Sequence, residues 1–269
     1  MEPAVCQTLS GNTPPESEPG GRRLVFICGL HRSGTSLLAR ALAVHPQISG
    51  FSATGVPEDE GQHLQSVYPP ALTFGGPGRF GFDRRSFMDE RHPLCTAANA
   101  SQLWAQWARY WDANRPVWLE KSPPNLVRTR FLQGLFPQAR FVVITRHPAT
   151  NALATYGKFR PSAQDDVGQL LRHWAVCHAR YLADRLRLRS VHEVRYEALM
   201  TDPAGVLASV FEFLDLPPLP APAVTPDPSR DAVYRQAWHQ AARSSPGLAR
   251  FRVRYGRIVR RMGYRLSVL

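Results

Sequence analysis

Residues Leu24 to Leu38 read "LVFICGLHRSGTSLL": five apolar residues, a turn bounded by Gly29 and Gly34, and the start of a new periodicity. A short apolar run ending in glycine reads as a buried strand. Leu38, Ala41 and Leu42 then recur at helical spacing, so a helix is expected from Thr35 to just before Pro46. Strand, glycine turn and helix N-terminus in series make an anion site from backbone N–H groups and the helix dipole. The stretch nearly matches G-x-x-x-x-G-K-[ST], the loop that cradles nucleoside triphosphates. Thr35 stands where that loop has its lysine, and Arg32 supplies a positive charge inside the turn instead. An ordinary tight turn has no need of Arg32, Ser33, Thr35 and Ser36 together, so the loop reads as a phosphate site.

Outward from it, "PVWLEK" (116–121), "ARFVVITR" (139–146) and "SVHEVRYEAL" (190–199) are further strand candidates alternating with helical patterns. That alternation marks an α/β chain with a parallel sheet and crossover helices. Expected helices are "PPNLVRTRFLQGLF" (123–136) with proline at its start, a long one from about Gln164 to Arg187, and "DPAGVLASVFEFLDL" (202–216) capped by Asp202. "SQLWAQWARYWDA" (101–113) places Trp104, Trp107 and Trp111 on one helical stripe, which reads as core. Gly50 to Asp89 is a long loop rich in glycine and proline, of the kind that carries function. Residues 1–21 read as a disordered leader and 22–269 as one domain, with a proline-rich connector at 217–228 and a basic helical C-terminal segment.

Among 269 residues, 33 Lys and Arg stand against 21 Asp and Glu, a net charge of +12. That excess suits nucleic acid, a membrane surface or small phosphorylated ligands, and equally a solvated arginine-rich surface. A nucleic-acid binder would interleave basic residues with exposed aromatics, whereas the aromatics here sit at core spacing. Four scattered cysteines without C-x-x-C pairing suggest neither a disulfide framework nor a zinc site. No apolar run approaches ~20 residues and the N-terminus lacks a signal-peptide pattern, so a cytoplasmic protein without a membrane span is expected. A P-loop kinase or ATPase would need an Asp closing a second strand to hold Mg²⁺. Here "FVVIT" closes on Arg146, and Glu120 is followed by Lys121. Arg32, Lys121 and Arg146 therefore fall at the C-terminal ends of three strands, which converge on the ligand crevice of an open α/β sheet.

These motifs resemble those of the sulfotransferases that use 3′-phosphoadenosine 5′-phosphosulfate (PAPS). "GLHRSGTSLLARALAVHP" is similar to their 5′-phosphosulfate loop, which in the tyrosylprotein and bacterial branches reads close to P-R-S-G-T-T-L-L followed by HP. "VVITRHPATNALATY" is similar to the 3′-phosphate motif, "WLEKSPPN" to the K-[TSD]-P segment and "VRYEALMTDP" to the later tyrosine–glutamate–leucine element. The order and spacing agree from about Leu24 to Pro217. The resemblance implies a P-loop-like parallel β-sheet flanked by helices in three α/β/α layers. It implies in-line, metal-independent transfer of a sulfuryl group from PAPS to a hydroxyl of a carbohydrate, lipid or small metabolite. Arg32, Ser33, Gly34, Thr35 and Ser36 would hold the phosphosulfate, Lys121 would approach the transferring group, Arg146 would take the 3′-phosphate and Tyr196 would lie against the adenosine. The family's serine eight residues after that arginine is Ala154 here, so either Thr155 beside it substitutes after a small shift or Arg146 carries the 3′-phosphate with other partners. For the base that takes the acceptor's proton, the segment beyond the first helix offers Glu60, then Glu58, with His63 as the alternative and a solvated acidic turn as the competing reading.

Overall fold

The computed structural model describes residues 21–159, 167–219, 233–234, 236–238 and 246–266. The expected leader up to residue 20, the connector from residue 220 and the first residues of the helix expected from Gln164 lie outside them.

Five parallel strands form one sheet in the order β2-β3-β1-β4-β5. They are β1 (Arg23–Cys28), β2 (Ile48–Gly50), β3 (Val117–Lys121), β4 (Arg140–Thr145) and β5 (Val191–Arg195). In β1, Leu24, Phe26 and Cys28 enter one hydrophobic cluster while Val25 and Ile27 enter the other. A sheet covered on both sides needs near-continuous apolar strands, which is why "LVFIC" shows no polar alternation. One face is covered by α1 (Thr35–Ala43), α6 (Tyr196–Thr201) and α7 (Pro203–Phe213), through Leu38, Leu42, Leu199, Val210 and Phe211. The other is covered mainly by α2 (Ala97–Trp107), α3 (Thr129–Leu135) and α5 (Val167–Asp184), through Trp107, Phe131 and Trp174. Two further helices, α4 (Pro148–Phe159) and α8 (Pro246–Arg261), join this second layer. Phe26 lies at its centre, stacked on Phe141 at 5.6 Å and edge-on to Trp107 at 6.0 Å. The result is an α/β fold of three layers.

Four details depart from the sequence reading. Strand β2 has three residues, too few to show a period. The helix expected over 123–136 is split into a 3-10 turn, Pro123–Val127, and α3, with Arg128 between them at φ −130° and ψ 13°. Two consecutive prolines remove backbone donors from the first turn, and Arg128 turns its Nε inward to Ser86 O at 3.2 Å. Helix α2 ends at Trp107, so Trp111 reaches the core from the following segment, where its Nε1 donates to Leu119 O at 3.0 Å. The helix expected to run on to Arg187 tightens at Arg185–Arg187 into a 3-10 turn. Asp202 does cap α7, accepting from Gly205 N at 2.9 Å.

Candidate functional site

The central strand β1 feeds the glycine loop, with β3 and Lys121 on one side and β4 and Arg146 on the other. Ser33 folds the loop back on itself: its amide and its hydroxyl both donate to Leu30 O, at 3.0 and 2.7 Å. Arg32 is held at φ 66° and Gly34 at φ 103°. A Cβ at Gly34 would lie 2.6 Å from the Tyr196 ring, and one at Gly29 would lie 2.5 Å from Ile144 O. Both glycines are thus fixed by close approach, and Gly34 also by its backbone conformation. Helix α1 starts at Thr35 with no side chain capping it, so its first-turn amides face the crevice, as orphan donors do at any helix start.

On the β4 side, the Arg146 guanidinium donates to Arg32 O at 3.0 Å and lies over the Tyr196 ring at 4.1 Å. Tyr196 in turn backs Gly34, so Arg32, Gly34, Arg146 and Tyr196 form one packed unit. Trp174 Nε1 donates to Arg146 O at 3.0 Å. Behind this, the Tyr264 hydroxyl bridges Thr145 Oγ1 and Glu197 Oε2, each at 3.0 Å, and Glu197 Oε1 accepts from His147 N at 2.7 Å. The strand end is therefore braced by a tyrosine more than a hundred residues away. Sequence reading missed Tyr264, since nothing local marks it. Glu197, by contrast, was visible inside the tyrosine–glutamate–leucine element.

On the β3 side, Lys121 Nζ donates to Glu58 O at 2.7 Å and to Glu60 Oε1 at 3.3 Å. Gln62 Nε2 holds the other oxygen of Glu60, and His63 Nε2 stands 4.0 Å from it. Glu58 Oε2 accepts from Ser36 Oγ at 3.2 Å, which ties the acidic segment to the helix start. Glu60 is buried, and burial pushes its carboxyl up while Lys121 pulls it down; the net direction is up. Burial and Lys121 both lower the His63 imidazole.

Glu120, one residue earlier on β3, points the opposite way, as a strand's alternation requires. It is fully buried, accepts from Ser122 Oγ and Asn125 Nδ2 at 2.5 Å each, and is pushed by burial to about 7. Ser122 Oγ accepts from Gln62 N at 2.9 Å, so this buried carboxyl frames the segment that carries Glu60. Thr155 lies on the far side of the loop: its hydroxyl donates to His31 O at 3.4 Å, beside Asn151 Nδ2 at 2.9 Å on the same oxygen. Ala154 is buried. The His31 ring packs edge-on between Phe80 and Phe159 and is pushed by burial to about 3.

A cavity of about 580 Å³ opens between α1, β2 and the segments around Glu58 and Tyr110, with Ser36, Glu58 and Lys121 at one end. Among the described residues no group of three or more His, Cys, Asp and Glu is placed to hold a metal ion. No described helix is long and apolar enough to cross a membrane.

A family model described as the sulfotransferase family matches residues 25–220, from within β1 through the whole loop and the other four strands. A protein of Aquifex aeolicus (strain VF5), described as uncharacterized, is 23% identical over 224 residues, covering 80% of this chain. This chain spans 28% of that longer protein. Among solved structures, the sulfotransferase domain from the curacin biosynthetic pathway is 17% identical with a TM-score of 0.55, over 91% of this chain and 98% of that one. A sulfotransferase from Alicyclobacillus acidocaldarius is 18% identical with a TM-score of 0.49, over 86% and 95%. A strand–glycine loop–helix flanked by two buried cations, and a family match across about three-quarters of the sequence, have one reading: the chain belongs to the sulfotransferase family.

Proposed function

We propose that the protein moves a sulfuryl group from PAPS to an acceptor hydroxyl, and that the glycine loop, Arg146 and Lys121 divide the work. The observation that carries this is the placement of two buried cations on opposite sides of one loop. Arg146 stands on the β4 side with an aromatic ring beneath it, and Lys121 on the β3 side against two glutamates and a cavity. A nucleotide whose phosphosulfate lies along the loop would set its 3′-phosphate toward Arg146 and its sulfuryl group toward Lys121.

The residues present fit such a donor. Arg32 Nε is buried without a partner, a costly state unless an anion completes it. Any side chain at Gly34 would displace Tyr196. Gly34, Thr35 and Ser36 present amides, and Thr35 and Ser36 hydroxyls, to the phosphosulfate, while Ser33 shapes the turn. Bound PAPS supplies an activated S–O bond whose leaving oxygen departs on the bisphosphate. Arg32 and Lys121 neutralise the charge that grows on that oxygen, each worth roughly 3 kcal/mol by comparison with oxyanion donors. Thr155 takes the place of the family's serine only indirectly, by holding the His31 carbonyl at the base of the loop.

Glu60 takes the acceptor's proton as the new S–O bond forms. Its support is burial, which raises its proton affinity above that of an ordinary carboxylate, and its contact with Lys121 at the cavity's end. Glu58 is the second candidate, because it lines the cavity directly and touches Ser36. His63 stands further back, reaching Glu60 only at 4.0 Å.

Calorimetry with adenosine 3′,5′-bisphosphate and with ATP–Mg²⁺ tests the donor. Binding of the bisphosphate, lost in Arg146→Ala, is expected. Binding of ATP–Mg²⁺ alone would instead support a P-loop kinase or ATPase. Transfer of labelled sulfate from PAPS, abolished in Arg32→Ala and Lys121→Ala proteins that remain folded by circular dichroism, tests the chemistry.

A further inference from the structure

The cavity beside the loop carries information about the acceptor through the way its charges are committed. Its two ends differ. At the reacting end, Glu58 accepts from Ser36 Oγ at 3.2 Å and Asp59 accepts from Thr54 N and Oγ1 at 2.8 and 2.6 Å. Lys121 is balanced by Glu60. Further out, Arg115 is balanced by Asp112 at 3.3 Å and also donates to Ile48 O at 2.7 Å. The remaining charged lining residue is Arg40, which is exposed and has no hydrogen-bond or ion-pair partner among the described residues.

Arg40 lies four residues after Ser36 on α1, so the two share a face roughly 6 Å apart along the axis. A helical side chain leans toward the N-terminus, which aims the guanidinium back along the cavity toward the reacting end. Ala43, Gly50 and Leu119 line the floor, which is small and apolar: a Cβ at Gly50 would already meet the Ala43 methyl at 3.4 Å and Leu119 at 3.7 Å. The outer wall is a fixed aromatic stack, Trp111 on Phe51 at 4.7 Å with Tyr110 edge-on at 6.1 Å and 40% exposed. The groove thus runs from a proton-accepting end, past an apolar floor and an aromatic edge, to Arg40, its one cation uncommitted among the described residues.

We propose that this groove is the acceptor subsite and that Arg40 makes it select hydroxyl compounds bearing an anionic group one helical turn away from the reacting oxygen. The proposal rests on the sulfotransferase reading above, and the test separates the two. Protein saturated with adenosine 3′,5′-bisphosphate is titrated calorimetrically with hydroxy-carboxylates and their matching neutral amides, over spacer lengths bracketing that distance. Charge-assisted pairing predicts that the best carboxylate binds at least about tenfold more tightly than its amide. In Arg40→Ala that advantage disappears and the twins bind alike, while bisphosphate affinity stays at the wild-type value. Three results overturn the proposal with the donor reading intact: no carboxylate preference, no binding by any member of the panel, or a preference that survives in Arg40→Ala. A parallel loss of bisphosphate affinity in Arg40→Ala would also overturn it, by moving Arg40 to the donor. Failure of the bisphosphate itself to bind the wild type would refute the sulfotransferase reading instead.

Discussion

Replacing Gly34 by alanine tests the coupling between the loop and the β4 side. The backbone there sits at φ 103°, a conformation that costs a residue with a side chain about 1–3 kcal/mol. The added Cβ would lie 2.6 Å from Tyr196 Cδ2 and 3.2 Å from Ile144 Cδ1. Neither neighbour yields freely, since Ile144 is a wholly buried strand residue and Tyr196 lies under the Arg146 guanidinium at 4.1 Å. Overpacking of this kind costs about 1–3 kcal/mol more. The two together come to about 4 kcal/mol, which for a chain of this size lowers the melting temperature by roughly 8–16 °C. Displacing Tyr196 also moves Arg146, so affinity for adenosine 3′,5′-bisphosphate should fall by more than tenfold, about 1.4 kcal/mol. Urea denaturation and calorimetry on the same preparation read both effects. Gly157→Ala is the control: it lies within α4 where a Cβ meets nothing within 4 Å, and it should stabilise by about 0.5–1 kcal/mol. A Gly34→Ala protein that melts within a degree or two of wild type, or binds the bisphosphate normally, would refute the reasoning.

Three further outcomes are expected. Glu60→Gln should lower turnover by about 10²–10⁴ and remove an acid limb of the pH–rate profile that lies above the ordinary carboxylate range, because burial raises that carboxyl. If Glu58→Gln does this instead, the base is Glu58. Acid should destabilise the fold: burial pushes His31 and His173 to about 3 and His178 to about 4, so below the unfolded value near 6.5 the unfolded chain binds protons that the folded one does not. At pH 5 the three cost about 6 kcal/mol together, while Glu120, raised to about 7, returns roughly 3 kcal/mol over the same range. The three histidines outweigh Glu120, so the unfolding free energy read from urea curves should be lower at pH 5 than at pH 7.5, and a rise in stability toward pH 5 would reverse the assignment. Lys121→Met should abolish transfer yet leave bisphosphate binding within a few-fold of wild type, since Lys121 pairs with the Glu60 carboxylate and donates to the Glu58 carbonyl on the side away from Arg146; equal loss of both would place it in the nucleotide site.

The sequence by itself carried the parts of this protein that are local. An apolar run ending in glycine, a helix start six residues on and two further strands closing at Lys121 and just before Arg146 were enough to read the layer order and to expect three cations at the strand ends. The missing strand-end acid was legible too, although its reason was not: Glu120 exists, and the pleat turns it into the opposite layer. What only the tertiary structure decided depends on approach between distant segments. It joined Glu58 to Ser36 and Glu60 to Lys121, set Tyr196 between Gly34 and Arg146, and brought Tyr264 under Thr145. It also turned Ser33 inward, sent Thr155 to the His31 carbonyl and left Arg40 without a partner among the described residues. Spacing along a chain fixes which face a side chain takes within its own element. Which charges are satisfied is settled only when elements far apart in sequence meet, and in this protein that accounting is what distinguishes the Arg146 side of the loop from the Lys121 side.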